Sequence, residues 1–165
     1  METKDKREEI KVLDEKGNIR YIVIPNYRKN NLLTKEEQKF FTYLKQLTLK
    51  YNYLTFVQVA LSQIVQVNNN HNYWHLLGKI KQLVIDFVIY DSFNEEIICC
   101  IELDDETHNK SKRIKRDIFI DEVFEEIKIP LVHIIRKNDY NNDTHIIENI
   151  IIEYEENLKQ QDINN

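Results

Sequence analysis

Apolar residues recur along the chain with two spacings, one typical of helices and one typical of strands. Helical spacing predicts three main helices, over about 34–51, 110–128 and 143–160. Short apolar runs predict strands at 56–60, 83–90, 96–103 and 131–135. Residues 10–24 predict two further strands around a turn at Gly17-Asn18. A short helical turn is expected after residue 60, and 71–82 is expected to be a loop with one helical turn.

Two local patterns refine the predicted helices. Thr34 and Glu37 match a capping box, in which the first residue caps the helix and the second binds back to it. In the second helix a stripe containing Ile120 and Phe124 predicts a buried face. Ile114 and Ile118 fall on the other side, so we expect this helix to contact protein on two sides.

The runs 83–90 and 96–103 are apolar on both faces, which is typical of central strands covered by helices. Their proximity in sequence predicts a hairpin. The whole order predicts an α/β or α+β fold in which helices flank a mixed sheet. We expect an N-terminal extension with a β-hairpin over 1–31 and one domain over 32–165.

Length and charge narrow the classes of function. The 165 residues can bury a sizeable core, and the net charge of −5 excludes a uniformly basic nucleic-acid-binding protein. No apolar run is long enough for a membrane span, and no secretory signal is visible. The adjacent Cys99 and Cys100 point to opposite faces of a strand, so we expect reduced core residues in a cytoplasmic protein.

Asp86 is the most informative polar residue, because it interrupts the apolar strand LVIDFVIY. An unpaired buried carboxylate is costly, so either a buried hydrogen bond, an ion pair or a ligand must compensate it. The next apolar strand ends in Glu102-Leu103-Asp104-Asp105, and alternation places Glu102 and Asp104 on one face. Taken alone, Asp104 and Asp105 are better explained by a solvated turn or a helix N-cap than by a metal site.

Converging carboxylates repel one another unless a hard divalent cation binds them. We therefore expect Asp86, Glu102 and Asp104 to bind Mg²⁺ or Mn²⁺. His108 follows four residues after Asp104. It is either a proton donor, a metal ligand, an orienting group or an ordinary loop histidine. A basic run then begins, either as a solvated helix face or as a phosphate-binding surface beside the metal. Its members are Lys110, Lys112, Arg113, Lys115 and Arg116.

The pattern LLTKEEQKFF, VQVALSQIV, KQLVIDFVIYD, IICCIELDDETH and RDIFIDEVFEEIKIPLVHI resembles the DUF2726 family. That family belongs to the PD-(D/E)XK nuclease-like superfamily. The pattern is also similar to the DUF559 and very-short-patch-repair-like branches, which share an E-L-D-x-x-x-H element. The resemblance covers roughly residues 32–140. It implies a restriction-endonuclease-like core with elements in the order αβββαβ.

The resemblance also implies roles for individual residues. Asp86 and Glu102 match the metal-binding acids of the two motifs, and His108 matches the histidine of the related branches. Asp104 stands where the superfamily pattern has its lysine, and the related branches also have an aspartate at this position.

Four further positions follow from the same comparison. Glu37 matches a first-helix glutamate that faces the site, and Gln58 matches a polar position that helps to orient water. Asp117 matches an aspartate of the following helix, and His133 stands where an arginine is common.

These expectations together indicate a Mg²⁺- or Mn²⁺-dependent endonuclease that hydrolyses phosphodiester bonds, with DNA as the expected partner and no membrane. The alternative is a catalytically inactive module of the same fold that binds nucleic acid or a protein. The acidic net charge and the missing lysine favour that alternative. The sequence leaves the oligomeric state open and allows a homodimer.

Overall fold

A computed structural model describes residues 9–23, 29–68, 72–104 and 111–164. The chain divides into two compact units, Met1–Asn31 and Leu32–Asn165. In the first, β1 (Glu9–Leu13) and β2 (Ile19–Val23) pair antiparallel. Gly17 has a φ of 79°, a left-handed conformation that glycine adopts without strain. The predicted hairpin is therefore confirmed.

The second unit contains a four-stranded mixed sheet flanked by helices, as the apolar pattern predicts. Its strands are β3 (Leu54–Ala60), β4 (Val84–Asp91), β5 (Glu96–Asp104) and β6 (Leu131–Ile135), in that spatial order. The first three pair antiparallel, and β6 joins β5 in parallel. The two strands that are apolar on both faces are the central ones.

Five helices accompany the sheet in the described residues. They are α1 (Lys35–Lys50), α2 (Leu61–Ile64), α3 (Tyr73–Ile80), α4 (Ser111–Ile127) and α5 (Asn141–Asn164). The predicted capping box is present, because Thr34 and Glu37 each accept a hydrogen bond from the other's backbone N–H. Without the short α2 and α3, the order of this unit is α1, β3, β4, β5, α4, β6, α5.

The core lies on both faces of the sheet. On one face Phe40 of α1, Phe87 of β4 and Ile147 of α5 belong to one buried cluster. On the other face Val88 of β4 and Phe124 of α4 belong to a second cluster. Cys99 lies in the first cluster and Cys100 in the second, and both are free, as alternation along a strand predicts.

One expectation was wrong, and another fails at the one residue where the structure tests it. Residues 73–80 form a two-turn helix rather than a loop with one turn, because Leu77 and Ile80 pack into the second cluster and stabilise a helix too short to form alone. The second predicted contact face of α4 is not found at Ile118, which is 50% exposed. The side chain of Ile114 lies outside the described part of the structure.

Candidate functional site

Polar residues from all four strands form one row across the sheet. The pairs Val57↔Phe87 and Val59↔Ile85 set Gln58 opposite Asp86. The pair Phe87↔Ile101 places Asp86 opposite Glu102 in the same way. Glu102 in turn pairs with His133 on the parallel strand β6. The row therefore brings together three of the predicted site residues and adds His133.

Two hydrogen bonds fix the orientation of the Asp86 carboxylate. Its Oδ1 accepts from Gln58 Nε2 at 3.1 Å, and its Oδ2 accepts from the backbone N–H of Leu103 at 2.9 Å. Burial raises the pKa of Asp86, and the negative charge of Glu37 adds to this effect. The two hydrogen bonds and the charge of Arg116 lower the pKa in part. Asp86 is thus a half-buried carboxylate with fixed geometry.

Gln58 reaches Asp86 from a strained backbone. Its φ is 53°, in the left-handed region that residues other than glycine seldom adopt within a strand. Such conformations cluster at functional sites, where the surrounding structure enforces them. The resemblance implies a water-orienting role for Gln58. In the structure its amide N–H orients the carboxylate instead, and the role in orienting water stays a prediction.

Glu102 is the most deeply buried acid of the row, at 4% exposure. Its Oε2 lies 3.3 Å from Arg116 Nη2. Its Oε1 is buried and has no hydrogen-bond partner among the described residues. Burial raises the pKa of Glu102 to about 7, and the charges of Asp86 and Asp104 contribute, while Arg116 opposes the rise. Glu102 therefore has one oxygen available for a ligand that carries positive charge or donates a hydrogen bond.

His133 lies between two carboxylates. Its Nδ1 is 2.7 Å from Asp104 Oδ2, and its Nε2 is 2.9 Å from Asp121 Oδ1. Burial acts to lower the pKa of His133, but the hydrogen bonds to Asp104 and Asp121 outweigh it and raise the pKa. Because both ring nitrogens face carboxylate oxygens, the imidazolium form, in which both nitrogens donate, is favoured.

Arg116 contributes the second positive charge next to the acids. Besides Glu102 it contacts Asp117, whose Oδ1 lies 3.2 Å from Nη1, and it reaches the carbonyl oxygen of Val84 at 3.5 Å. Arg116 was predicted as a phosphate-binding residue, and the structure places it against Glu102. Lys115 of the same run is exposed.

The remaining predicted residues divide into two groups. Glu37 caps α1, where its Oε2 accepts the backbone N–H of Thr34 at 2.6 Å, and its charge still reaches Asp86. His108 and Lys110 lie outside the described residues, and the side chains of Lys112 and Arg113 do as well. The predictions for these four residues are therefore open.

Sequence reasoning gave no site role to Asp121 and noted His133 only through the resemblance. One signal was present, because Asp117 and Asp121 stand four residues apart and share a face of α4. The partner of that face depends on the parallel pairing of β6, which no local pattern encodes.

The oxygen atoms of this site can be compared with the ligands that a divalent cation requires. Within the described residues, no group of three or more His, Cys, Asp or Glu side chains is arranged to hold a metal ion. Mg²⁺, however, is commonly bound by one or two protein carboxylates together with waters and substrate oxygens. Asp86 and Glu102 stand opposite each other, and the free Oε1 of Glu102 fits such a two-carboxylate site.

The model of one protein family matches residues 29–160, most of the chain. Its description reads "Protein of unknown function (DUF2726)". The chain belongs to the DUF2726 family. No curated protein and no solved structure matches it. None of the helices in the described residues has the combined length and apolarity that crossing a membrane requires.

Proposed function

We propose that this DUF2726 protein is a metal-dependent nuclease with a restriction-endonuclease-like core. It would hydrolyse phosphodiester bonds in DNA with Mg²⁺ or Mn²⁺. The observation that carries the proposal is the pair Asp86 and Glu102, opposed on adjacent central strands, with a buried oxygen of Glu102 that has no partner among the described residues.

The two acids would hold the cation, and Asp104 would lie beside it. When bound, the cation would supply Lewis-acid stabilisation of negative charge on the phosphate and would make water a better nucleophile. The hydrogen bonds from Gln58 and Leu103 would hold Asp86 in one orientation. Arg116 would hold Glu102 through Oε2, so that Oε1 points to the ligand.

The positive groups of the site would oppose the charge of the nucleic acid. His133, when protonated, would offset the negative charge of Asp104. Lys115 and the neighbouring basic residues would contact phosphates along the strand, where such contacts make binding salt-sensitive. This arrangement makes a local phosphate site compatible with a net charge of −5.

A second candidate function rests on a specific observation. Asp86, Asp104 and one oxygen of Glu102 already have partners within the protein, and no three-residue metal group occurs in the described part of the chain. This arrangement favours a catalytically inactive module of the same fold that binds nucleic acid or a protein partner.

Cleavage of DNA in the presence of Mn²⁺ separates the two candidates. We expect the wild-type protein to cleave, and Asp86→Asn and Glu102→Gln each to lose at least about 100-fold in rate, as expected when a group that holds the catalytic metal is removed. Glu96→Gln is the matched control, because Glu96 is an exposed residue at the other end of β5. Equal cleavage by the wild type and both site variants would exclude this site, and no cleavage with intact DNA binding would favour the inactive module.

A further inference from the structure

An open pocket of about 510 Å³ lies between the segment after α2 and the start of α3, and no residue of the polar row across the sheet is among its described lining residues. Its lining combines two carboxamide side chains, Gln66 and Asn68, with two aromatic rings, Tyr73 and Trp74, and with Val67. This volume falls in the range of small-molecule sites in proteins. None of these residues has been given a role by the nuclease proposal.

Trp74 is the unusual member of the pocket. It is the single tryptophan of the chain and is 80% exposed. Its ring meets Tyr73 edge to face, with the centroids 5.1 Å apart. An exposed indole leaves a large apolar face in water, and a planar ligand stacked on that face would remove it from water.

The two carboxamides supply the other half of a recognition site. Gln66 and Asn68 are exposed, and within the described structure neither side chain has a hydrogen-bond partner. A carboxamide both donates and accepts, so it can pair with the edge of a heterocycle that carries donor and acceptor atoms. A nucleobase has this combination of a flat face and a polar edge.

Charged side chains of both signs surround the pocket. A second cavity of about 500 Å³ shares Gln66 and Asn68 and continues toward α4, but Glu122 and Glu126 line it and would repel phosphates. Lys79 on α3 and Lys81 after it are exposed cations. The ammonium of Lys79 lies 5.0 Å from the ring centroid of Phe119, which also lines the second cavity. The three residues 81–83 then lead directly into β4 and Asp86.

We propose that Gln66, Asn68, Tyr73 and Trp74 form a binding pocket for an unpaired nucleobase. The base stacks on the indole of Trp74, and the two carboxamides contact its polar edge. The base comes either from a single-stranded segment of the nucleic acid or from a free nucleotide. Binding of a base from a single-stranded segment rests on the proposed nuclease function, because that segment would be part of the nuclease substrate.

The single tryptophan makes a direct test available. We would titrate the full chain with single-stranded DNA in the presence of EDTA and follow the intrinsic fluorescence of Trp74. Stacking is expected to quench it, whereas an oligonucleotide without bases and with the same number of phosphates should leave it unchanged. We expect Gln66→Ala and Asn68→Ala each to weaken binding about fivefold, the loss typical of one hydrogen bond.

Binding of a labelled oligonucleotide, measured by anisotropy, extends the test to the indole itself. Trp74→Ala should weaken binding about tenfold. Phe93→Ala is the matched control, since Phe93 is also a highly exposed aromatic residue, at 92% exposure, and lies in the β4–β5 turn. It should leave the affinity unchanged.

Every outcome bears on the proposal. One outcome is that a nucleoside monophosphate quenches Trp74 at lower concentration than the oligonucleotide does. If Gln66→Ala and Asn68→Ala weaken that binding too, the result supports the pocket with a free nucleotide as its ligand. Quenching by neither, or equal quenching by the baseless strand, overturns it. Cleavage by the wild type without quenching would leave the nuclease proposal standing and remove the pocket. Quenching without cleavage in Mn²⁺ would support the pocket and contradict the nuclease proposal.

Discussion

At the scale of one residue, burial of Glu102 makes its charged form costly in the folded protein. Its carboxylate is buried among other acids, and its pKa is raised to about 7 from an ordinary value of 4.5. A carboxylate with a raised pKa binds its proton more tightly in the folded state than in the unfolded state. Its charged form therefore destabilises the fold. Arg116 at Oε2 offsets part of that cost, and a cation or a hydrogen-bond donor at Oε1 would offset more.

This raised pKa predicts a pH dependence of stability without metal. As the pH rises from about 4.5 to about 7, the wild type should lose up to about 3 kcal/mol through Glu102, and the loss should be complete above pH 7. Glu102→Gln cannot ionise and should not show this loss. Urea unfolding of both proteins in EDTA at pH 4.5, 6 and 8 measures the difference. Parallel pH profiles for the two proteins would contradict the prediction.

At the scale of elements, the ends of helices and strands determine which side chains meet. The N-terminus of α1 brings Glu37 near Asp86, the first half of α4 brings Arg116 to Glu102, and β6 brings His133 to Asp104. Each of these elements contributes one charged or titratable side chain to the site. The site therefore depends on how well each element is fixed, as well as on the acids.

The capping box of α1 offers a test at this scale. Thr34→Ala removes the side chain that accepts the N–H of Glu37, and should destabilise the protein by about 1 kcal/mol. Thr42→Ala is the control, because the Thr42 hydroxyl only bonds back to Gln38 within the helix, and alanine favours helices. Urea unfolding should separate the two variants, and an equal effect of both would indicate that the cap contributes little.

At the scale of the whole molecule, the charge distribution matters more than the net charge of −5. Asp86 and Glu102 lie opposite each other on the central strands, Arg116 lies against Glu102, and His133 contacts Asp104. A bound divalent cation would add to this compensation. Since such an ion binds the folded state, mass action must raise the stability of the whole chain.

Thermal unfolding with Mn²⁺ therefore tests the metal site independently of cleavage. At a concentration about 100 times the dissociation constant, the wild-type melting temperature should rise by about 5–10 °C. Glu102→Gln should abolish the rise, and Glu96→Gln should retain it. An unchanged melting temperature of the wild type at millimolar Mn²⁺ would argue for the inactive, nucleic-acid- or protein-binding module.

Much of the fold follows from local pattern. The strand 131–135, the hairpin around Gly17 and the capped start of α1 are set by residues close to one another in sequence, and all three appear in the structure. The helix α3 was underestimated because its stability comes from packing against the second cluster, which lies far away in sequence. Whether the core is restriction-endonuclease-like stays a prediction.

For the candidate site, the sequence by itself determined that Asp86 interrupts a buried strand and that Glu102 and Asp104 share a face of the next one. Alternation and hairpin proximity are short-range properties, so they could be predicted. Only the tertiary structure decided the partners, namely Gln58 with Asp86, Arg116 with Glu102, and His133 between Asp104 and Asp121. These contacts depend on strand register, on the parallel pairing of β6 and on the rotation of α4, which are set by packing of the whole core.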